Sequence, residues 1–588
     1  MKTKAKKFVG IASLLLAVVF LLVACNRSAP VTGGTAQGED FFKELRVGYG
    51  AAVTTYNPFM EPYESTSWIH GSMVAMMVSQ TDPTVLEWVP HHAAQLPYSE
   101  DGGKTWIIKF RQGMTWSDGE PLNAYDYYYS MKMILDPVLA NRTAVRMFEI
   151  CFFKNALEYY SGQIKDFEEV GIKLIDNYTL EITLENAVAP MDFWGTVNRI
   201  WPAQPKMYEA CMNADRTSNT YGTTLATTPS SSCFTLTEWV LDSHDYFLVN
   251  PNDPLVQMGY IKLDAVSQRY VVSSATRSNL FFSGETDWHS LTGSEYNIYR
   301  NDPRALPVYA SSCWGNFVNS GSTNKVMSYQ DLRRALFFGN PREQIAREAF
   351  VTFPPVNWMI ATSVYVGSPI TGTVRYRDTP EAKKIAEEFA SNTALAREYF
   401  DKAYTAIRND LGLDKIVVNY IYFDSSENYK AWAEITKESY ETLFGRDRFE
   451  LNLRVMVGAA GNDAYRRGEY DMGNGVRTVN IMSPWAGMRY WSQTYSDPYP
   501  NGFYDPRFEY LLEETTRGSM AADEAAKLEA LYEMERIIMN YVTFIPIFQN
   551  DNLRLYSERI LLPTSTYFPV IDYSIRQADI LYPEKRPN

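Results

Sequence analysis

Histidine and cysteine are scarce in this chain of 588 residues, which contains five of each. His91 and His92 are the only adjacent histidines, and neighbouring residues of a strand or helix point to different faces, which makes them a poor metal pair. The chain has no His-Glu-x-x-His, no Gly-x-Ser-x-Gly and no Cys-x-x-Cys sequence. These absences exclude the commonest signatures of zinc proteases, serine hydrolases and zinc fingers. We therefore predict no metal, no cofactor and no catalytic residue.

Positive charge is also in deficit, with 55 lysines and arginines against 69 aspartates and glutamates. A chain with this balance and no basic stripe is a poor nucleic-acid binder, so no nucleic-acid partner is expected. The many carboxylates leave a surface glycan hydrolase open as the least favoured alternative. Such an enzyme depends on the separation of two carboxylates, which residue type alone does not reveal.

Long apolar runs are absent except at the N-terminus. Residues 1–7 carry four lysines, and residues 8–24 form an apolar or small-residue run. This order is typical of a secretory signal, and removing it takes away four positive charges. The alternative is an uncleaved anchoring helix, for which 17 residues is marginal. We predict a signal peptide over 1–24 and a flexible tether over 25–40, which is rich in glycine and threonine.

The end of that run, Leu22-Val23-Ala24-Cys25, resembles the lipobox of bacterial lipoproteins. The resemblance implies that Cys25 becomes the first mature residue and is acylated. The protein is then expected to be bacterial, exported and lipid-anchored at the extracytoplasmic face of a membrane, with the lipid as its only membrane contact. Four cysteines remain, for which disulfide pairs and unpaired buried thiols are both open. They are Cys151, Cys211, Cys233 and Cys313.

The most informative stretch runs from Asp101 to Asp126. Alternating apolar residues predict a half-buried strand over 105–110, bounded by turns at 101–103 and 116–119. Asn123 fits a helix N-cap with Asp126 at its third position. Farther along, a helix is expected from Thr379-Pro380 to about Arg408. A strand over 415–423, a helix over 426–444 and a strand over 449–456 then predict a β-α-β unit.

The residue order of this stretch resembles the signature region of extracytoplasmic solute-binding proteins of the oligopeptide/dipeptide class, solute-binding family 5. These proteins are the capture subunits of ABC importers. The matching segments here are 111–113 (Arg-Gln-Gly), 116–119 (Trp-Ser-Asp-Gly) and 124–126 (Ala-Tyr-Asp), followed by 283–287, 331–336 and 469–472. One departure occurs at 230–233, where Ser230, Ser232 and Cys233 replace the two glycines and the proline of the family motif.

The resemblance implies an α/β, two-lobed periplasmic-binding-protein type II-like fold with an extra N-terminal subdomain. By analogy, lobe I contains residues 41–60, 190–304 and 548–588, the extra subdomain contains 61–189, and lobe II contains 305–547. The chain is expected to cross between the lobes near 304–312 and 543–549, and the lobes to close on a ligand.

The implied function is a lipid-anchored, non-enzymatic substrate-binding component of an ABC importer. It would capture a peptide or an oligosaccharide between two lobes, act as a monomer, and deliver its ligand to ABC permease and ATPase subunits. A sensory receptor that uses the same fold is the main alternative.

Candidate ligand-binding residues come from the segments that line the cleft in this family. Aromatic residues make up 14% of the chain, and such rings give an organic ligand a stiff contact surface. Peptide-binding members place an aspartate four residues before a proline, where it pairs with the peptide amine. Asn480 stands at that position relative to Pro484, so free peptides are expected to bind less well here. The candidates are Tyr56, Asn57, Trp314, Asn316, Arg477, Asn480, Trp485 and Trp491.

Overall fold

The structure is a computed structural model that describes residues 41–60, 64–350, 352–366, 374–424, 426–478, 484–493, 501–568 and 570–585. It mixes helices with several small sheets. Within those residues, none of the helices combines the length and the apolar content that crossing a bilayer requires.

The first part of the chain builds two four-stranded sheets and a hairpin. One sheet has the order Glu44–Tyr49, Ala265–Tyr270, His244–Val249, Phe234–Val240, in which only the first pair is parallel. The other has the antiparallel order Tyr98–Ser99, Thr105–Lys109, Thr179–Thr183, Ile172–Asp176. The hairpin pairs Val74–Val78 with Leu86–Pro90. These elements enclose two apolar cores.

The signature stretch folds as its sequence predicts. Trp106 and Ile108 of strand Thr105–Lys109 are buried, and helix Ala124–Ile134 begins with a capping box between Asn123 and Asp126. The indole N–H of Trp116 donates to a carboxylate oxygen of Asp126 at 2.9 Å. This bond ties the turn to the helix start, so the motif stabilises the junction of strand, turn and helix.

The second large unit is a five-stranded sheet with its own apolar core. Its order is Phe449–Met456, Ile416–Phe423, Met472–Thr478, Ser312–Val318, Phe544–Gln549. The first two strands are parallel and are joined by helix Glu427–Phe444, which confirms the predicted β-α-β unit.

The helix expected from Thr379 to about residue 408 was wrong in its continuity. The structure has two helices, Pro380–Glu388 and Thr393–Leu411. The side chain of Asn392 accepts a hydrogen bond from the backbone N–H of Leu395 and so caps the second helix. In a continuous helix Asn392 would not be a cap residue.

A three-stranded sheet connects the two parts of the molecule. Its order is Trp288–Ser290, Asn552–Tyr556, Ala305–Val308. The chain therefore leaves this sheet after Val308 and enters the five-stranded sheet at Ser312. It returns between Gln549 and Asn552. We call the part built on the five-stranded sheet lobe II. The part built on the two four-stranded sheets, the hairpin and the three-stranded sheet is lobe I.

The remaining strands and α-helices complete the described part of the chain. The other strands are Phe41–Phe42, Tyr365–Val366, Val374–Arg375, Ile560–Leu561, Asp579–Ile580 and Glu584–Lys585. The other α-helices are Ala156–Tyr160, Pro190–Val197, Pro205–Ala210, Pro254–Gln257, Ser274–Phe282, Ser294–Tyr299, Gln330–Phe338, Arg342–Ile345, Gly458–Arg466, Pro484–Gly487, Pro506–Thr516 and Glu524–Tyr541.

The four described cysteines are all free thiols. Cys151, Cys233 and Cys313 are buried, and Cys211 is half-buried. Of the two possibilities left open by the sequence, the structure has the unpaired thiols. Cys25 lies outside the described residues.

Candidate ligand site between the two lobes

The two chain crossings between the lobes are tied to each other. The backbone N–H of Ala310, in the first crossing, donates to a carboxylate oxygen of Asp551 in the second at 2.8 Å. The hydroxyl of Ser363 donates to the carbonyl of Ala310 at 2.8 Å, and the hydroxyl of Tyr567 donates to the carbonyl of Tyr309 at 3.0 Å. The two crossings are thus short and are held together by hydrogen bonds.

Asp551 gives this connection a pH dependence. Burial raises the pKa of Asp551 to about 6, although the Ala310 N–H and the charge of Arg375 favour the ionised form. Its ordinary pKa is near 4, so between about pH 4 and 6 the folded state holds a proton that the unfolded state has lost. The stability from this group is therefore complete below pH 4 and is lost as the pH rises through 6.

We expect the Asp551→Asn variant to lack this part of the pH profile. An asparagine oxygen still accepts the Ala310 N–H but does not titrate. Between pH 4 and 7, the free energy of unfolding of the wild type should fall by up to about 3 kcal/mol relative to the variant. Urea denaturation at several pH values measures this difference. Parallel profiles for the two proteins would contradict the assignment.

Arg477 lies in an aromatic sandwich within lobe II. Its guanidinium carbon is 4.6 Å from the ring centroid of Phe317 and 5.4 Å from that of Trp491, and the side chain is buried. Gly475 makes room for this arrangement, because a Cβ there would lie 2.1 Å from the Phe317 ring. The guanidinium thus lies over two of the protein's own rings. Contact between Arg477 and a ligand stays a prediction.

Trp491 is anchored on its other side, where its indole N–H donates to the hydroxyl of Thr543 at 3.1 Å. Trp314 lies parallel to Phe548 with ring centroids 6.1 Å apart, and is partly buried. Asn316 is fully buried, and its amide oxygen accepts from the hydroxyl of Tyr420 at 2.7 Å. These three candidates therefore make packing contacts inside lobe II, and their predicted ligand contact stays a prediction.

Trp485 lies where the two lobes meet. The ammonium nitrogen of Lys527 is 4.1 Å from the centroid of its ring. The same ammonium is 2.7 Å from a carboxylate oxygen of Asp192, with side-chain exposures of 2% for the lysine and 11% for the aspartate. Helix Pro190–Val197 contributes to the lobe I core and helix Glu524–Tyr541 to the lobe II core. A buried ion pair thus joins the lobes, and Trp485 stacks on its cation.

The remaining candidates lie elsewhere. Tyr56 is buried in the lobe I core, and its hydroxyl donates to Asp245 at 2.5 Å. The amide oxygen of Asn57 accepts from the backbone N–H of Phe59 at 3.0 Å, which shapes the Asn-Pro turn. These contacts give both residues a structural role, and a ligand contact by either stays a prediction. Asn480 lies outside the described residues.

The sequence-based reading missed Asp192, Lys527 and Asp551. Each is one acidic or basic residue among many, and no local pattern distinguishes it from a solvated one. Their roles depend on contacts between segments that are far apart in the chain. Lys527 and Asp192 are separated by 335 positions, and Asp551 and Ala310 by 241.

One geometric expectation from the sequence was wrong. His91 and His92 were expected to point to different faces, which made them a poor metal pair. Their rings lie side by side with centroids 4.4 Å apart, and Asp253 lies against them. The physical reason is that strand Leu86–Pro90 ends before His91 and the chain bends there, so strand alternation no longer applies.

Comparison with known proteins agrees with the two-lobed architecture. Residues 87–498 match the family described as bacterial extracellular solute-binding proteins, family 5 middle. The chain belongs to this family. The expected family and fold class are thereby confirmed.

Proteins that resemble the chain are named for different ligands. The probable deoxycholate-binding periplasmic protein YgiS of Escherichia coli K12 is 24% identical over 77% of this chain and 79% of its own length. The oligopeptide-binding protein OppA of Bacillus subtilis is 20% identical over 93% of this chain and 96% of its own length.

A solved structure shows the same fold over most of the chain. The substrate-binding domain of an oligopeptide ABC transporter from Bacillus anthracis superposes with a TM-score of 0.68. It is 20% identical, and the match covers 92% of this chain and 100% of that domain. The likeness in fold thus covers nearly all of the chain.

Proposed function

We propose that this protein is the lipid-anchored, non-enzymatic substrate-binding component of an ABC importer, and that it captures its ligand by closing lobe I against lobe II. It would act as a monomer outside the cytoplasmic membrane of a bacterium and deliver its ligand to ABC permease and ATPase subunits. In this proposal lobe II extends over about 312–549, a few residues from the 305–547 expected from the sequence. Support comes from family membership and from relatives that are named for peptide binding and ABC transport.

The observation that carries the proposal is the pairing of a short hinge with a separate contact between the lobes. The hinge is confined to the crossings at 309–311 and 550–551. The Lys527–Asp192 pair joins the lobes at another place. A hinge of this kind lets a ligand favour the closed form through contacts that it makes with both lobes at once.

Mass spectrometry of the purified protein tests the proposal first, because a capture protein often retains its ligand. Small-angle scattering should then show a more compact particle when the released compound is added back. The compound should be recovered unchanged after incubation. A chemically altered product would mean that the protein is an enzyme, and an unchanged scattering profile would contradict closure.

The ligand class follows from the replacement at Asn480. A peptide's ammonium buried at this position would need a charged partner, and an amide supplies only hydrogen bonds. Losing a charge-assisted bond costs roughly 1.5–3 kcal/mol, so free peptides should bind about ten- to a hundredfold worse than at a site with aspartate. We therefore propose a peptide or an oligosaccharide as the ligand, and we place an oligosaccharide, or a peptide that is blocked or acidic, on an equal footing with an ordinary peptide. Calorimetry with libraries of free peptides and of oligosaccharides decides between them.

Tight binding of ordinary di- to pentapeptides, unchanged in Asn480→Ala, would contradict this ligand proposal without affecting the transport proposal. The relative YgiS is named for probable binding of deoxycholate, which is not a peptide.

Lipid anchoring is testable by one substitution. We expect Cys25→Ser to release the protein from membranes or to leave an unprocessed precursor, because serine provides no thiol for acylation. Membrane fractionation and the mass of the N-terminal peptide measure both outcomes. Cys211→Ser, which changes a free thiol in the folded part, is the matched control. Normal processing and normal membrane attachment of the Cys25 variant would contradict the anchor.

A further inference from the structure

A cluster of four possible metal ligands lies inside the first part of the molecule, away from the junction of the lobes. His91, His92 and Asp253 are all buried, and one nitrogen or oxygen from each lies within 4.8 Å of the others. The Nε2 atom of His91 is 2.8 Å from a carboxylate oxygen of Asp253. The sulfur of Cys233 is 3.3 Å from the other carboxylate oxygen of Asp253.

The cluster is assembled from three separate segments. The histidines follow strand Leu86–Pro90, Cys233 precedes strand Phe234–Val240, and Asp253 caps the short helix Pro254–Gln257. Arg111 fixes the first of these segments, because its Nε–H donates to the carbonyl of His91 at 2.8 Å. The donors therefore come from three segments, and the histidine segment is held in place through its backbone.

Two of the donors also line a cavity of about 800 Å³. This cavity lies between the signature stretch and the segment around Asp253, and His92 and Asp253 form part of its wall. Asn250, Asn252 and Gln257 contribute polar groups to the same wall. A hydrated ion can therefore approach the buried donors through a polar space.

We propose that this cluster binds a single Zn²⁺ ion through His91, His92, Asp253 and Cys233. Two imidazoles, a carboxylate and a thiolate are a donor set that suits zinc, and the two negative groups balance its charge. Tetrahedral coordination with bonds of about 2.0–2.3 Å places ligand atoms roughly 3.3–3.7 Å apart. The donor atoms of His91, His92 and Asp253 lie within 4.8 Å of one another, and the Cys233 sulfur lies 3.3 Å from Asp253. Binding therefore needs side-chain rotations that draw the donors, Cys233 above all, toward one point.

The hydrogen bonds of the present arrangement would be exchanged on binding. The His91–Asp253 bond is replaced by two bonds to the ion, and the long 3.4 Å contact from the Ser72 N–H to Nδ1 of His91 is given up. The Nδ1 atom of His92 is 2.8 Å from the hydroxyl of Tyr127, which can accept a hydrogen bond from that nitrogen as readily as donate one to it. Tyr127 would then orient the ring, and the other nitrogen would exchange its contact with the carbonyl of Ser231 for the ion.

An ion at this position would join two parts of the molecule. His91 and His92 belong to the predicted extra subdomain, and Cys233 and Asp253 to the predicted lobe I. Cys233 also stands where the family motif has a proline, so the thiol is a feature of this chain at a position where that motif has none. The site would stabilise the subdomain junction and is independent of the ligand proposed for the cleft.

Metal binding by the full-length mature protein tests the proposal. Zn²⁺ added to the metal-free protein should bind at one equivalent in a competition with a chromophoric chelator, and should raise the melting temperature. Co²⁺ in place of Zn²⁺ should give the visible bands of a tetrahedral site and a thiolate charge-transfer band in the near ultraviolet. The cobalt spectrum needs no variant, so it does not depend on whether a substituted core folds.

Substitutions then identify the donors. His92→Gln and Asp253→Asn should each weaken Zn²⁺ binding by about 100-fold or more, beyond the typical effect of losing a group that only supports a ligand. Cys233→Ser should remove the charge-transfer band. His289→Gln is the matched control, because His289 is equally buried and its Nε2 lies 2.9 Å from Glu295, and no metal-ligand group is found there among the described residues.

Each outcome decides the question. Stoichiometric binding that is lost in the two variants and retained in His289→Gln supports the site. The absence of tight binding by the folded wild-type protein overturns it. Binding that persists in His92→Gln, or a cobalt spectrum without the thiolate band, overturns the proposed donor set.

Discussion

Replacing Asp192 by asparagine is expected to weaken ligand binding by about two orders of magnitude. The ammonium of Lys527 is buried between the lobes and has Asp192 as its ion-pair partner, with the ring of Trp485 on another side. Removing one member of a buried ion pair typically costs about 3–5 kcal/mol, because the other charge is left without compensation. Opening the lobes returns Lys527 to water, so this cost falls on the closed form alone.

The affinity for the compound recovered from the purified protein should therefore drop about a hundredfold, which corresponds to roughly 3 kcal/mol. Calorimetry measures the affinity. Small-angle scattering of the ligand-free variant should also show a larger radius of gyration than that of the wild type, because its closed form is less populated. The double variant Asp192→Leu with Lys527→Met should regain part of the loss, since it removes both charges together.

Glu120→Gln provides the control. Glu120 pairs with Lys206 at an exposed position within lobe I, so its loss affects the open and closed forms equally. Exposed pairs contribute about 0–1 kcal/mol. Ligand affinity should be unchanged in this variant. An Asp192→Asn protein that binds its ligand as tightly as the wild type would show that the pair does not hold the lobes together.

The second large effect is expected in the stability of lobe II. Glu535, on helix Glu524–Tyr541, has no exposed surface. Its carboxylate forms a buried ion pair with Arg377, and it accepts hydrogen bonds from the hydroxyl of Tyr376 at 2.8 Å and from the backbone N–H groups of Met359 and Ile360 at 3.2 Å each. One side chain thus connects the helix to two separate loops.

In Glu535→Gln, an amide N–H group takes the place of one carboxylate oxygen and meets donors instead of acceptors. The guanidinium of Arg377 is left buried without its counter-charge. We expect the free energy of unfolding to fall by about 3–5 kcal/mol, measured by urea denaturation with tryptophan fluorescence. This is a large fraction of the stability of an ordinary domain.

The matched control is two positions away on the same helix. Glu533 forms an ion pair with Arg507 at 2.8 Å, with side-chain exposures of 51% for the arginine and 43% for the glutamate. Glu533→Gln should therefore cost no more than about 1 kcal/mol. Equal losses in the two variants would mean that Glu535 contributes no more than a surface glutamate and that its buried network is not stabilising.

Local patterns predicted much of the fold in this chain. The capping box at Asn123, the strand alternation of Thr105–Lys109 and the β-α-β unit were readable because each depends on residues close together in sequence. The helix after Thr379 was read as one because its apolar periodicity continues past Asn392. The break depends on a cap that competes with that periodicity.

The ligand site was less predictable because its geometry depends on which distant segments meet. The sequence indicated aromatic residues and Arg477, but not that the protein's own cations lie over Trp485 and Trp491. It also did not show that the strand ends at Pro90, so that strand alternation does not apply to the side chains of His91 and His92. Packing decides which residues from distant parts of the chain become neighbours. The spacing of residue types along the sequence does not reveal that packing.

By itself, therefore, the sequence determined the family, the α/β class and the expectation of export, because ordered motifs, hydrophobic periodicity and an N-terminal apolar run are properties of neighbouring residues. The tertiary structure alone decided that Lys527 meets Asp192 across the lobes, that Asp551 joins the two crossings, and that two histidines and an aspartate gather in one place with a cysteine beside the aspartate. Charges and donors of this kind become distinct from solvated ones only when folding removes water from around them.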